Sequence, residues 1–216
     1  MVERLQESLT PALFVDLDGT LLSVNSMRIY MKRLPGRLLA TRRPLAALKA
    51  IWLLALRSIR AIDHRRMKWH LTALGRRYLS DKEWKDFASL LAQYIYPKVS
   101  DFIERKRREG ASIFIASAAP EEYTNPLAEQ LGLDGALATP FTSRIEDYTE
   151  LRGDRKLAVI NRLLADRRLR LDTFLTDHPD DLPTASAYPR QTIIVNPDAH
   201  TARIFRLHSV NRHLWC

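Results

Sequence analysis

Five short apolar runs constrain the fold of this chain more than any other feature. They are Ala12–Asp16 (ALFVD), Ser112–Ala116 (SIFIA), Gly135–Ala138 (GALA), Thr173–Thr176 (TFLT) and Thr192–Val195 (TIIV). Each is continuously apolar rather than alternating, the pattern of strands buried on both faces of a parallel sheet. The stretches between them carry helical spacing. Lys98–Glu109 holds Val99, Phe102 and Ile103 in register, and Gly110 follows as a stop. Asp154–Leu169 places Leu157, Ile160, Leu163 and Leu164 on one face, with Asp154 positioned to cap it. Glu121–Leu131 reads as a helix that Pro126 should bend or delay. Alternating strands and helices predict an α/β protein: a Rossmann-like parallel sheet with helices on both faces, whose ligands bind beyond the carboxyl ends of the strands.

Between the first and second runs lies a long helical insert with an unusual charge. The 216-residue chain has a net charge of +9, with 46% hydrophobic and 27% charged residues. That composition supports a packed core and excludes wholesale disorder. The charge is not spread evenly. Ser23–Ser80 holds 14 Lys/Arg and one acid, Asp63, a net of +13, whereas the rest carries 20 bases against 24 acids. A shift this sharp marks a domain boundary. Residues 1–22 and 98–216 therefore read as the body, and residues 23–97 as a basic helical domain. On a helical wheel Arg42, Lys49, Arg57, Arg60 and His64 share one arc, apart from Leu45, Leu48, Ile51, Trp52, Leu54 and Ala55. Pro44 is placed to start that helix.

The charge admits three kinds of partner: nucleic acid, an anionic membrane surface or a phosphorylated substrate. The single cysteine, Cys216, allows neither an intramolecular disulfide nor a Cys-based zinc site and is compatible with a reducing cytoplasm. The opening MVERLQESLTP lacks the apolar core of a secretory signal. The apolar stretch Pro44–Leu56 is interrupted by Lys49 and falls short of the ~20 residues a membrane span needs. A cytoplasmic location is expected. His200, His208 and His213 are too widely spaced for a metal site and read as part of a polar tail that also carries Trp215.

Four motifs carry chemistry. In ALFVDLDGTLL a buried strand delivers Asp16 to its carboxyl end, and Asp18 follows before the turn at Gly19. Two carboxylates so placed repel by about 4 kcal/mol at 4 Å and an effective dielectric near 20, which calls for a hard cation such as Mg2+. In IFIASAAP a second strand ends in Ser117, and Ala118 precedes a helix start near Pro120. A hydroxyl, backbone N–H groups and a helix N-terminus make an oxyanion-binding cup. In LTDHPDDLP a third strand ends in Asp177, with Asp180 and Asp181 beyond it. Lys156 stands near the start of the Asp154 helix. Taken singly, an Asp-Gly turn, an N-cap serine, a solvated acidic turn and a surface lysine would explain each.

In chain order the four motifs closely resemble the haloacid dehalogenase superfamily, most of whose members are Mg2+-dependent phosphohydrolases. The resemblance runs from Ala12 to Pro197. The helical insert after the first motif stands where that superfamily carries its C1 cap, and the arrangement is most similar to the phosphoserine phosphatase-like branch. The resemblance implies a set of roles. Asp16 would be the nucleophile that becomes an aspartyl-phosphate, and Asp18 the general acid and later base. Mg2+ would be held by Asp16, the Asp18 carbonyl and Asp177, with Asp181 completing or orienting the shell. Ser117 and the Ala118 N–H would bind phosphoryl oxygens, and Lys156 would neutralise developing charge. An acid at position 18 separates phosphatases of the superfamily from true dehalogenases, so carbon–halogen chemistry is disfavoured.

Two departures stand out. His178 replaces a glycine usual in the fourth motif, and either Asp180 or Asp181 could supply its second acid, though spacing favours Asp181. Residues 21–31, LLSVNSMRIYM, lack the acid that phosphoserine phosphatases use for the substrate ammonium, which makes phosphoserine itself a poor candidate. The expected function is hydrolysis of a small phosphorylated metabolite. The basic cap could expose a merely solvated face, attract an anionic substrate, or lie on a membrane as an interfacial helix. That last reading makes the protein a peripheral phosphatase of a lipid or polyprenyl phosphate at the inner membrane face. A non-catalytic phosphate-binding module on the same fold is a further alternative, and nucleic acid is disfavoured because no aromatic-interleaved basic groove is present.

Overall fold

The computed structural model describes residues 9–216. The N-terminal segment read above as lacking a secretory signal lies almost wholly outside the described residues. Six parallel strands form one sheet in the order β3-β2-β1-β4-β5-β6. They are β1 (Thr10–Val15), β2 (Ser112–Pro120), β3 (Gly135–Thr139), β4 (Leu169–Thr176), β5 (Thr192–Val195) and β6 (His213–Leu214). Four helices intervene between β1 and β2: α1 (Ser26–Ala40), α2 (Pro44–Ser58), α3 (His64–Tyr78) and α4 (Asp81–Ala92). α5 (Pro97–Arg108) then leads into β2. Further along are α6 (Glu121–Gln130), α7 (Asp154–Asp166), α8 (Leu182–Ala187) and α9 (Ala199–Leu207).

The continuous apolar runs form a sheet covered on both sides, as a strand's two-residue period requires. Leu13 and Val15 face Val99 and Ile103 of α5 and Tyr123 and Leu127 of α6. Ala12 and Phe14 face the opposite side, with Ile160 and Leu164 of α7. The first of these clusters continues without a break into the insert, through Leu34, Leu38, Met67, Leu71 and Trp84. An aromatic group joins the two parts. Phe87 of α4 meets Tyr123 edge-on at 5.2 Å, and Tyr30 of α1 stacks on Trp84 at 5.5 Å. The chain leaves and re-enters the body at adjacent points. The Ser23 N–H donates to the Tyr94 carbonyl at 2.8 Å, and the Tyr96 N–H donates to Leu21 at 3.0 Å.

Several local expectations need correction. Gly153, with φ of +59°, occupies the cap position of α7, and Asp154 is its first residue. Pro126 sits inside α6 without delaying its start at Glu121. The C-terminal segment is not a loose tail. Asp198 caps α9, His213 belongs to β6, and the Trp215 carbonyl accepts from Lys98 Nζ at 2.8 Å. The basic arc from Arg42 to His64 is not one helix either. Arg42 and Arg60 have φ of +58° and +59° and sit in the turns on either side of α2. α2 is also turned round relative to a simple amphipathic helix: Ala46, Ala47, Ala50 and Leu53 are buried, while Leu45, Leu48, Ile51 and Trp52 are exposed.

Candidate active site

The strand order reverses across β1 and β4, which opens a crevice at their carboxyl ends. Asp16 is the first residue past β1, and Asp177 the first past β4. The Asp16 N–H donates to the Leu175 carbonyl at 2.9 Å, which locks the two strand ends together. Ser117 stands where the pairing of β2 with β3 is interrupted, between Ala116 and Pro120. Together with Asp18, Ala118, Lys156 and Asp181 these residues line one cleft of about 500 Å³. All seven residues singled out in the sequence therefore meet in one place.

Lys156 is the centre of the cluster. It is buried, and its Nζ lies 2.9 Å from Asp16 Oδ1 and 2.7 Å from Asp181 Oδ1. Asp181 is held from its other side by the Thr176 hydroxyl at 2.7 Å. Burial opposes the lysine charge, yet the two carboxylates outweigh it and raise its pKa above the ordinary value. Asp16 behaves differently. Burial drives its carboxyl up to about 7 against the pull of Lys156, and Asp181 and Asp177 add to the rise. Burial likewise raises Asp18, although the Ser26 N–H donates to its Oδ1 at 2.8 Å, and raises Asp177, which accepts from the Thr20 hydroxyl at 2.9 Å.

The loop geometry explains two residues of the first motif. Gly19 has φ of +79°, and a Cβ there would overlap the Asp177 carboxylate. Glycine thus lets the β1 loop lie directly against the β4 loop. Ser26, at the start of α1, shares a hydrogen bond of 3.1 Å with the Tyr123 hydroxyl, so Asp18 is positioned by a chain of contacts leading from α6.

The donor set suits a hard cation. Three carboxyl groups, Asp16, Asp18 and Asp177, line one cleft, and burial raises the pKa of each, a cost to their charged forms that a bound Mg2+ would offset. Among the described residues no three metal-binding side chains converge into a ready-made cage. The expected ligand set includes a main-chain carbonyl, and Lys156 occupies one side of both Asp16 and Asp181. The fourth motif is also clearer. Asp181 turns inward and is buried, whereas Asp180 is half exposed and lies 3.6 Å from Arg152. His178 has an extended backbone, φ −123°, and its Nδ1 accepts from the Asp180 N–H at 3.1 Å. No glycine is required there.

The cleft also contains residues that sequence reasoning missed. Lys68 of α3 is buried, lies 2.8 Å from Glu150 Oε1 and donates to the Ala118 carbonyl at 2.7 Å. His64, at the start of the same helix, lines the cleft as well. Its partial burial, with the charge of Lys68, holds the imidazole pKa below the ordinary value. Arg152 completes the rim. Of these, the sequence had marked only His64, as part of the basic arc and not as a site residue.

Over residues 13–186 the sequence matches the haloacid dehalogenase-like hydrolases. The chain belongs to that family. Among curated proteins it is 27% identical over 204 residues to a probable phosphatase of Mycobacterium tuberculosis (strain ATCC 25618 / H37Rv), covering 87% of this chain and 69% of that one. It is equally similar to an inhibition of morphological differentiation protein of Streptomyces azureus, 27% identical over 87% of this chain and 72% of that protein. Among solved structures, a protein of unknown function from Bordetella pertussis Tohama I superimposes with a TM-score of 0.70 at 19% identity, covering 96% of this chain and 99% of that one. A phosphoserine phosphatase in its apo form gives 0.62 at 13% identity, over 95% and 93% of the two chains. These structural likenesses concern the fold. In this haloacid dehalogenase-like hydrolase, the Asp16–Lys156–Asp181 cluster and the inward-facing Asp18 share the cleft at the switch point of that fold.

Proposed function

We propose that this hydrolase is a phosphomonoesterase that works through an aspartyl-phosphate on Asp16. The observation that carries the reading is the buried Asp16 carboxylate, held by Lys156 at 2.9 Å with Asp18 alongside it in the same cleft. An Asp16 oxygen attacks phosphorus and the bond to the leaving oxygen breaks. Asp18, its pKa raised by burial, retains a proton for that leaving oxygen. The same carboxylate then takes a proton from the water that hydrolyses the acyl phosphate. The Ser117 hydroxyl and the Ala118 N–H bind phosphoryl oxygens, and the Lys156 ammonium balances their charge. Asp16 and Asp177, with the Asp18 carbonyl and with Asp181 behind them, would hold a Mg2+ ion that supplies positive charge to the phosphoryl group.

Residues 23–97 act in this reading as the cap over a body formed by 1–22 and 98–216. Lys68 supports it, since it reaches from α3 into the cleft and is fixed by Glu150 and the Ala118 carbonyl. A small phosphorylated metabolite suits a cleft of about 500 Å³ rimmed by His64, Lys68 and Arg152. A second anionic group on that metabolite would find these cations. The test is hydrolysis of p-nitrophenyl phosphate with and without EDTA. Asp16→Asn should lower turnover by about a thousandfold or more while the folded state persists. Full turnover by that variant, or turnover indifferent to EDTA, would overturn the proposal. A folded wild-type protein that turns over no phosphate ester would leave the non-catalytic phosphate-binding module as the better reading.

A further inference from the structure

α2 has the opposite polarity from a helix of a freely soluble surface. Its inward side is built of small residues, Ala46, Ala47 and Ala50, together with Leu53. Its outward side carries the large ones: Leu45 is 82% exposed, Leu48 63% and Trp52 57%, and Ile59 just past the helix end is 73% exposed. At 100° per residue, Ile51, Ala55, Leu48, Trp52, Leu45 and Leu56 sweep an arc of about 140°, a continuous apolar face rather than scattered single residues. Leu39, at the end of α1, is exposed as well.

The edges of this face are basic. Lys49 borders the arc, and Arg42 and Arg60 stand in the turns at the two ends. The only acid between Ser23 and Ser80 is Asp63, which caps α3 and faces Arg66 at 3.7 Å. Among the described residues no carboxylate pairs with Arg42, Lys49, Arg57 or Arg60. We infer that α2 is a docking face for an anionic lipid bilayer. The helix would lie in the interface with Leu45, Leu48, Ile51 and Trp52 among the acyl chains and Arg42, Lys49 and Arg60 among the headgroups.

Three arguments select this occupant. The first concerns a second copy of the chain. An isologous contact through α2 would bring Arg42, Lys49 and Arg60 against one another with no acid between them. The second is length. Fifteen residues make a helix of about 22 Å, too short to cross a hydrocarbon core of about 30 Å but sufficient to lie along its surface. No helix among the described residues is long and apolar enough to cross a membrane. The third is chemistry: an apolar face with a basic border and a tryptophan matches the layering of an anionic interface, whereas nucleic acid offers nothing to cover the leucines. The inference does not depend on the chemistry at Asp16.

The test is flotation of the full chain with vesicles of phosphatidylcholine alone or mixed with phosphatidylglycerol, at low and high salt. Wild type should float with the anionic vesicles at low salt and be released as salt rises. Trp52→Ala combined with Leu48→Ala should weaken that binding by about tenfold or more. Arg42→Glu combined with Arg60→Glu should abolish the preference for phosphatidylglycerol. These side chains are exposed, so each variant should keep the wild-type melting midpoint and its turnover of soluble p-nitrophenyl phosphate. Absence of flotation with anionic vesicles at low salt would overturn the inference. So would undiminished binding by the Trp52/Leu48 variant, equal binding to neutral vesicles, or a wild-type dimer that this variant dissolves.

Discussion

Replacing Lys156 by methionine separates the electrostatic account of the cleft from a merely steric one. Methionine keeps most of the buried stem and removes the ammonium. Two carboxylates then lose the partner that stands 2.9 and 2.7 Å away, and Asp181 is buried with no solvent to replace it. Breaking a buried pair by deleting one partner costs about 3–5 kcal/mol. The share due to Asp16 is limited, because its pKa of about 7 lets it take up a proton instead. At pH 8 that protonation costs on the order of 1 kcal/mol, and it costs less as the pH falls below about 7. The destabilisation in EDTA should therefore be about 3–5 kcal/mol at pH 8 and smaller, by on the order of 1 kcal/mol, at pH 5. At roughly 2–4 °C per kcal/mol for a chain of this size, the midpoint should fall by about 6–20 °C at pH 8. Denaturant unfolding of both proteins at the two pH values measures it. A loss below about 1 kcal/mol, or one as large at pH 5 as at pH 8, would refute the assignment of Lys156 as a buried counter-charge.

Two further outcomes follow from the same carboxyl cluster. With pKa values raised in the folded state, Asp16, Asp18 and Asp177 hold protons that the unfolded chain has released, so metal-free stability drains away as pH rises from about 4 through 7. His64 and His70, with lowered values, work in the opposite direction, so the comparison must be with Asp16→Asn: in EDTA wild type should lose stability relative to that variant between pH 5 and pH 8, and Mg2+ should raise the wild-type midpoint more at pH 8 than at pH 5. A midpoint indifferent to Mg2+ at both pH values would contradict the metal reading. Gly19→Ala should cost about 1–3 kcal/mol, from the left-handed backbone and the collision with Asp177, and should weaken Mg2+ binding measured by calorimetry; unchanged stability would show that the two loops are not in close contact.

The strands of the sheet were legible because burial on both faces leaves an unbroken apolar run, which few other environments do. β1, β2, β3 and β5 begin within two residues of the runs that announced them. β4 starts four residues earlier than its run, because Leu169, Arg170, Leu171 and Asp172 alternate between buried and exposed sides. β6 escaped notice since two residues at a sheet edge, one of them His213, leave no periodic trace. The candidate site was legible for a related reason: its members sit at or just beyond strand ends or at the first turn of a helix, where local sequence fixes position. Lys68, Glu150 and Arg152 were not, because they reach the cleft from a helix and a loop that tertiary packing alone brings there. The wheel separated the basic from the apolar residues of α2 but could not say which side faces inward. The neighbouring helices decide that, and they accept alanines.

The positive charge of the insert divides by depth into two populations with different work to do. The bases nearest the body are matched by it. Lys68 meets Glu150, Arg76 meets Glu122 at 2.7 Å and Glu121 at 3.6 Å, and Arg65 donates to the carbonyls of Ile145, Glu146 and Tyr148. Trp69 adds a hydrogen bond to the Thr142 carbonyl at 2.9 Å. All of these contacts spring from α3, so one helix ties the insert to the mildly acidic body beside the cleft. α2 has no such counterpart, and its cations remain turned outward beside exposed leucines. Salt should act unequally on the two groups. Lys68 and Glu150 are shielded from solvent and retain their attraction, while Arg42 and Arg60 are screened within a Debye length of about 8 Å at physiological ionic strength. A net charge that looks like one property of the insert is therefore matched by the body on its inner side and left unmatched on its outer side.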